Sequence, residues 1–285
     1  MSPTVRNRCS KLMIRLVRAE LLKYRTLRSY WVLMASGAVI ALLVIILFLY
    51  MAHMSVTNSA PAFAGSGSGI GVTSYGAHGW YPFILYQVYN YSQVFGVVLG
   101  IICVTGEYRY STASFTYLVE PQRVRVLEAK LVASVIWGLF YGVLVSIFLT
   151  AVGVLFSAVW NLDPGAFLRN ALIYLPEDLA GFVLLVLIGV GIGSLIHNQV
   201  LAIISGVGFF TVGTVLIALL YTIVPHIVPY MPQTALMALE RVPSDASGMG
   251  AKVSLLPWWG GGIVLLGYTI LFSGIGAMTV LKSDI

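Results

Sequence analysis

Polar side chains follow one side of the second apolar run of the chain, which reads ILYQVYNYSQVFG. At 100° per residue, an arc of about 120° contains Tyr86, Gln87, Asn90 and Gln93. Side-chain amides in hydrocarbon cost free energy unless they are hydrogen-bonded. This arc therefore either lines a wet substrate path or holds helices together by hydrogen bonds, and the sequence leaves both interpretations open.

Two further polar groups lie on later apolar runs. Thr211 and Thr214 lie on the fifth run, where a threonine hydroxyl can bond its own helix backbone, so packing is the preferred interpretation and a place on the path is the alternative. Glu177 and Asp178 precede the fourth run. We expect them to cap the start of that helix rather than to gather cations at its mouth.

The sequence offers no motif for catalysis. It contains no G-x-x-x-x-G-K-[ST] segment that would cradle nucleotide phosphates, and no Ser/His/Asp set with meaningful spacing. His53 and His78 are too isolated to argue for a metal site. The two cysteines, Cys9 and Cys103, are too few for a disulfide framework and are expected to be free thiols. We expect no enzyme activity, no metal and no cofactor bound by this chain.

The composition indicates an integral membrane protein. Of the 285 residues, 59% are hydrophobic and 9% charged, whereas soluble domains carry roughly 25% charged residues. The first run is too long, and too far from the N-terminus, for a cleaved signal peptide, the alternative that APAFA suggests. We expect an all-α membrane protein with six membrane-spanning helices, since six runs without Asp, Glu, Lys or Arg are long enough: 31–52, 84–105, 131–157, 179–196, 200–224 and 258–281.

The positions of lysine and arginine predict the orientation. With both termini in the cytoplasm, 13 of these residues lie inside and 3 outside. The net charge of +6 thus follows from topology, and we expect no nucleic-acid partner. The longest cytoplasmic connection, TGEYRYSTASFTYLVEPQRVRVLEAKL, holds seven charged residues, whereas HNQ turns the chain between the fourth and fifth runs in three. Topology alone does not require so long a connection.

Two segments outside the runs have helical character. Within residues 1–30, one side of a helix carries arginines that would face anionic lipid head groups, and the other side carries Met13, Ile14, Val17, Leu21 and Tyr24. The alternative is an ordinary basic cluster beside the first span. Near the other end of the chain, residues 233–241 after Pro232 are expected to form a short helix.

The order of these features resembles the permease subunits of ABC-2 type transporters, in particular the bacterial six-span kind. The likeness covers nearly the whole chain and rests on the basic stretch before span one, GEYRYSTASFTYLVEPQRVRVLEAKL, GIGSLIHNQVLAII and LLPWWGGGIVLLGYTILFSGIGAMTVLKSDI. Gly106–Glu107 and Ala129–Lys130 match the family pattern. Ser111 stands where the family has the glycine of a Gly-Thr pair.

The resemblance implies an ABC-2 (type V exporter-like) architecture in the bacterial cytoplasmic membrane. Residues 31–285 would be the permease domain, acting with a second permease chain, which is either another copy or a related chain. Two copies of a separate ATP-binding subunit would hold ATP and Mg. The connection 106–130 would couple to that subunit through Glu107, Tyr108, Arg109, Ser111, Thr112, Phe115, Tyr117 and Leu118.

In this family spans two and five line the transport path. The resemblance therefore favours a substrate path along Tyr86, Gln87, Asn90, Gln93, Thr211 and Thr214. A polar and aromatic path without fixed charge fits export of an amphiphilic compound such as a drug, a peptide or a lipid-linked molecule. Two alternatives stay open: a non-transporting membrane sensor or immunity protein, and a carrier driven by an ion gradient. The absence of charge from all six runs counts against the carrier.

Overall fold

The structure of the protein is a computed structural model, and it describes residues 3–58, 80–110, 118, 123–160, 163–196, 198–242 and 254–282. These ranges contain no strand. A short 3-10 turn, Val228–Tyr230, precedes α7. The helices are α1 (Pro3–Thr26), α2 (Arg28–Asn58), α3 (Trp80–Arg109), α4 (Arg123–Val159), α5 (Pro164–Leu195), α6 (Gln199–Ile223), α7 (Pro232–Leu239) and α8 (Trp258–Lys282).

The protein is all-helical and membrane-embedded, as the composition predicts. Within the described residues, four stretches are long and apolar enough to cross a membrane: Arg28–Tyr50, Val124–Val159, Pro164–Leu195 and Trp258–Met278. Helix α6 adds a shorter apolar stretch, Gln199–Gly213. Exposed apolar side chains, such as Val32, Leu43 and Ile147, cover the outside of these helices, where lipid would face them.

Helices α3 and α5 form the centre of the structure and approach each other through glycine. A Cβ atom at Gly100 would overlap the backbone of Val186, and one at Gly189 would overlap the backbone of Val97. Only residues without side chains allow helix backbones to come so close. Helices α4 and α8 pack on the flanks of α5, while α2 packs on α3 and α4. A shift of α3 must therefore also displace α5.

Helix α5, which contains the fourth apolar run, begins earlier than that run. Asp163 caps α5 by accepting from the backbone N–H of Ala166 at 3.0 Å, and Pro164 occupies the first turn. The prediction that Glu177 and Asp178 cap a helix start is wrong, because both lie inside α5. Charged residues interrupt the apolar pattern here without ending the helix.

Two local predictions are confirmed. Helix α5 ends at Leu195 and α6 begins at Gln199, so the connection is as short as predicted, and Asn198 caps α6 by accepting from the N–H groups of Val200 and Leu201 at 3.0 and 3.3 Å. The expected short helix is α7, which begins at Pro232 and ends at Leu239, two residues before the predicted end. In helix α1, which packs on α4, Arg15, Arg18 and Arg25 are exposed and Tyr24 is buried, but Ile14, expected on the apolar side with Tyr24, is 65% exposed.

Candidate functional site

Four charged side chains meet where α1, α3 and α4 come together, and we call them the ionic cluster: Glu20, Lys23, Glu107 and Lys130. Lys130 Nζ lies 3.1 Å from Glu20 Oε2 and 2.8 Å from Glu107 Oε1. Lys23 Nζ lies 2.6 Å from Glu20 Oε1 and 2.5 Å from Glu107 Oε1. Each ammonium thus bridges both carboxylates, and the cluster ties three helices together.

The ionic cluster is buried but electrically balanced. The Lys130 side chain is 4% exposed and those of Glu20 and Glu107 are 7% exposed. Burial disfavours the ionised form of Glu107, but the charges of Lys130 and Lys23 outweigh it, so the pKa of Glu107 lies below its ordinary value. A buried carboxylate keeps its charge only when it is paired in this way.

A hydrogen-bonded aromatic layer lies beside the ionic cluster. The hydroxyl groups of Tyr24 and Ser134 are 2.8 Å apart, and Ser134 donates to Cys103 Sγ at 3.5 Å. Cys103 is a buried free thiol, as predicted. The Tyr24 ring packs against Trp137 at 5.5 Å. A largely apolar cavity of about 360 Å³ opens between this layer, α1 and the end of α3.

The predicted coupling residues fall into two groups. Glu107 belongs to the ionic cluster and Tyr108 is partly buried, while Arg109 is exposed and donates from Nη1 to Gln199 Oε1 at 3.1 Å. Leu118 is 79% exposed. The connection is shorter than the predicted 106–130, since α3 continues to Arg109 and α4 begins at Arg123. Outside the described residues lie Ser111, Thr112, Phe115 and Tyr117.

A second group, which we call the acidic cluster, lies between α3, α5 and the end of α7: Gln93, Glu177, Asp178, Glu240 and Arg241. Gln93 Nε2 donates to Glu240 Oε1. Arg241 Nη2 lies 2.5 Å from Glu177 Oε1. A Cβ atom on Gly181 of α5 would lie 3.0 Å from Leu236 Cδ1 of α7 and 3.4 Å from Glu240 Oε1, so α7 and Glu240 pack closely on α5 at this glycine. Gln93 and Glu107 are about 21 Å apart along α3 at 1.5 Å per residue.

The acidic cluster holds buried oxygens that lack hydrogen-bond partners among the described residues: Gln93 Oε1, Glu177 Oε2, Asp178 Oδ2 and Glu240 Oε2. Gln93 is 1% exposed, and Asp178 and Glu240 are each 4% exposed. Burial raises the pKa of Glu240 to about 8, and the hydrogen bond from Gln93 offsets this only in part.

Helix α7 is held on all sides, and all of its residues are buried. Gln233 Nε2 donates to the carbonyls of Phe209 and Phe210 in α6 at 3.1 and 2.9 Å, which is possible because Gly213 has no side chain. The helix ends in a Schellman motif, with Arg241 at φ 53° and Val242 N–H bonded to the Met237 carbonyl at 3.0 Å.

The predicted path residues are only partly described. Gln93 is buried in the acidic cluster, which is closer to the inter-helix alternative than to an open path. Thr211 is exposed, and its hydroxyl donates to the Val207 carbonyl of its own helix at 2.8 Å. The side chains of four others lie outside the described residues: Tyr86, Gln87, Asn90 and Thr214.

Sequence reasoning missed the partners that complete both clusters. A signal existed for Glu20, because it is the one acidic residue of a basic helix and lies beside Val17, Leu21 and Tyr24 on its apolar side. Glu240 carried a weaker signal as a carboxylate at the end of an apolar segment. In the described part of the chain, no three His, Cys, Asp or Glu side chains are arranged to hold a metal ion.

The chain matches no family model and no curated protein.

Proposed function

We propose that the chain is the membrane-spanning permease subunit of an ATP-driven exporter in the bacterial cytoplasmic membrane. In this proposal the chain has six spans and cytoplasmic termini, and it pairs with a second permease chain and two ATP-binding subunits. Its substrate is an amphiphilic compound. The observation that carries the proposal is the ionic cluster, which fixes both ends of the connection between α3 and α4 to α1.

The ionic cluster provides a stiff base for a docking segment. Glu107 lies just before the connection, in the last turn of α3, and Lys130 lies in the second turn of α4. The connection itself presents Leu118, whose side chain is 79% exposed. An exposed leucine on a short segment with a rigid base can dock into an apolar groove on a partner. A push on this segment moves α1, α3 and α4 together.

Helix α3 extends that movement into the bundle. It meets α5 backbone to backbone at Gly100 and Gly189, and farther along it bonds Glu240 through Gln93. A displacement of the connection would therefore reach α5 and α7, about 21 Å away along α3. In the proposed transporter, this linkage opens the substrate path, with the energy supplied by ATP in the partner subunit.

Co-purification tests the proposal. The chain is isolated in mild detergent from its native membrane, and a stoichiometric P-loop ATPase is expected with it by mass spectrometry. Leu118→Asp is expected to lower the amount of bound ATPase about tenfold or more, because a charge replaces an apolar anchor. The control is Arg18→Gln, which changes an exposed residue on α1. Repeated gentle preparations of the wild type without an ATPase would refute the proposal.

A carrier driven by a proton gradient is a second candidate, and one observation favours it. The buried carboxyls of Asp178 and Glu240 lie within the helical bundle, although the six apolar runs contain no charge. Buried carboxyls next to a bundle interior are typical of proton-linked carriers. Transport by the purified chain in vesicles that contain no ATP and no ATPase would favour this candidate over the exporter.

A further inference from the structure

The acidic cluster contains more negative than positive charge. Glu177 and Asp178 come from α5 and Glu240 follows α7, whereas Arg241 is the only cation at the cluster among the described residues. Arg241 is paired with Glu177 at 2.5 Å, and its guanidinium also lies 5.2 Å above the Trp258 ring. Asp178 and Glu240 are therefore two buried carboxyls without a cationic partner in the described part of the chain.

The elements packed around these two carboxyls supply no further charge. Helix α3 contributes the neutral amide of Gln93. Helix α6 has no charged residue, and the single charge of α8 is Lys282 at its far end. Two carboxylates in so buried a place cost several kcal/mol unless one takes up a proton. The cluster thus lacks a positive charge and at least one hydrogen-bond donor.

The unpartnered oxygens show where that donor belongs. Asp178 Oδ2, Glu240 Oε2 and Gln93 Oε1 are all buried acceptors without a donor among the described residues. A proton on one carboxyl removes one negative charge and converts an acceptor into an O–H donor. A metal ion would also supply positive charge to the two carboxylates, but the described side chains form no group arranged to hold one.

We propose that the acidic cluster is a proton-binding site in which Asp178 and Glu240 together hold one proton, and that this proton fastens α7 to α5 and α3. The reaction is the simple uptake of a proton by a carboxylate to give a carboxylic acid. Glu240, which directly follows α7, lies beside Gly181, about one turn along α5 from Asp178, and accepts a hydrogen bond from Gln93 of α3, so a neutral pair lets these elements stay packed together. The ionised pair repels and loosens α7. The site binds its proton whether or not an ATPase docks near Leu118.

The direction of the pH effect follows from the raised pKa of Glu240, which burial moves to about 8. The folded protein then binds more protons than the unfolded chain between the ordinary carboxyl range and pH 8, so raising the pH across this window weakens the folded arrangement. We therefore expect α7 to be held tightly at pH 6 and to loosen as the pH passes 8.

Infrared difference spectroscopy of the purified full-length chain in lipid nanodiscs tests the site directly. A protonated carboxyl has a C=O stretch that a carboxylate lacks. We expect this band in the wild type at pH 6 and its loss with a midpoint near pH 8. Glu240→Gln should remove that titration, because burial raises the pKa of Glu240 itself. Asp178→Asn, which serves if the first variant folds poorly, should lower the midpoint of the titration, because the neighbouring negative charge is gone. The control Glu128→Gln, at an exposed carboxyl of α4, should leave it intact.

Hydrogen exchange of the α7 amides provides the structural readout. After correction for intrinsic exchange rates, their protection in the wild type should fall about tenfold or more between pH 6 and pH 9. In Glu240→Gln it should be independent of pH. The proposal is overturned if the wild type shows no protonated carboxyl at pH 6 to 7, or if neither variant changes the titration near pH 8. It is also overturned if added Na⁺ or Ca²⁺ removes the band at pH 6, because the site would then bind a cation.

Discussion

Replacing Lys130 by methionine should strongly destabilise the protein, because Lys130 is the most buried member of the ionic cluster. Its Nζ atom lies within 3.1 Å of both carboxylates, and its side chain is 4% exposed. At an effective dielectric constant of about 20, each contact at this distance is worth about 5 kcal/mol of attraction. The free-energy cost of removing Lys130 and the two carboxylates from water offsets much of this attraction.

The net cost of Lys130→Met is expected to be about 3–5 kcal/mol, the usual result of removing one partner from a buried ion pair. Glu20 and Glu107 would then face each other with only Lys23, whose side chain is 38% exposed. Adding Glu20→Gln leaves the single pair Lys23–Glu107. The double variant should therefore recover part of the loss, with a coupling energy of about 1–3 kcal/mol.

The assay is reversible unfolding in mixed micelles, with the free energy of unfolding measured for the wild type, both single variants and the double variant. Arg18→Met is the matched control, since Arg18 is exposed on α1, and its effect should stay within about 0.5 kcal/mol. A cost below about 1 kcal/mol for Lys130→Met, or strict additivity in the double variant, would refute the assignment of a tightly coupled buried cluster.

Two further predictions use the same unfolding assay. Gly189→Ala should cost about 1–3 kcal/mol of unfolding free energy, because its methyl group would collide with the backbone of Val97. The control Gly208→Ala, whose new methyl group would have no atom within 4 Å, should be neutral or slightly stabilising. Equal effects of the two substitutions would argue against the close crossing of α3 and α5. Because the pKa of Glu107 is lowered in the folded protein, its stabilising contribution is present above about pH 4.5 and is lost as the pH falls through the folded value. The difference in unfolding free energy between the wild type and Glu107→Gln should therefore shrink on acidification, and a constant difference from pH 7 to pH 3 would contradict the ion pairing.

Short-range signals predicted the parts of the fold that depend on neighbouring residues. Pro232 indicated the start of α7, and the brevity of HNQ indicated the tight turn between α5 and α6. Apolar runs indicated the helices but misplaced the start of α5, because Glu177 and Asp178 interrupt the apolar pattern while the helix continues through them. A hydropathy run therefore indicates that a helix is present but not where it ends, and in α5 most of the apolar stretch is buried against other helices.

The two charged clusters could not be predicted from the sequence, because their members are far apart along the chain. Glu107 and Lys23 are separated by 84 residues, and Gln93 and Glu240 by 147. Nothing in the local pattern distinguishes Lys130 from a lysine that only obeys the positive-inside rule. The sequence did select Glu107 and Gln93 as residues of interest. It could not select their partners, which depend on the packing of α1 and α7.

The 110 residues between Glu20 and Lys130 impose an order on the assembly of this protein during synthesis. At about 5–20 residues per second, Lys130 leaves the ribosome roughly 6–20 s after Glu20. Throughout that interval Glu20 of α1 cannot pair with Lys130 of α4. The hydrogen bond between Tyr24 and Ser134, which are also 110 residues apart in sequence, cannot form either. We therefore expect α1 to lack its contacts with α4 until α4 has been synthesised and inserted, and to be fixed in its final position only at that step.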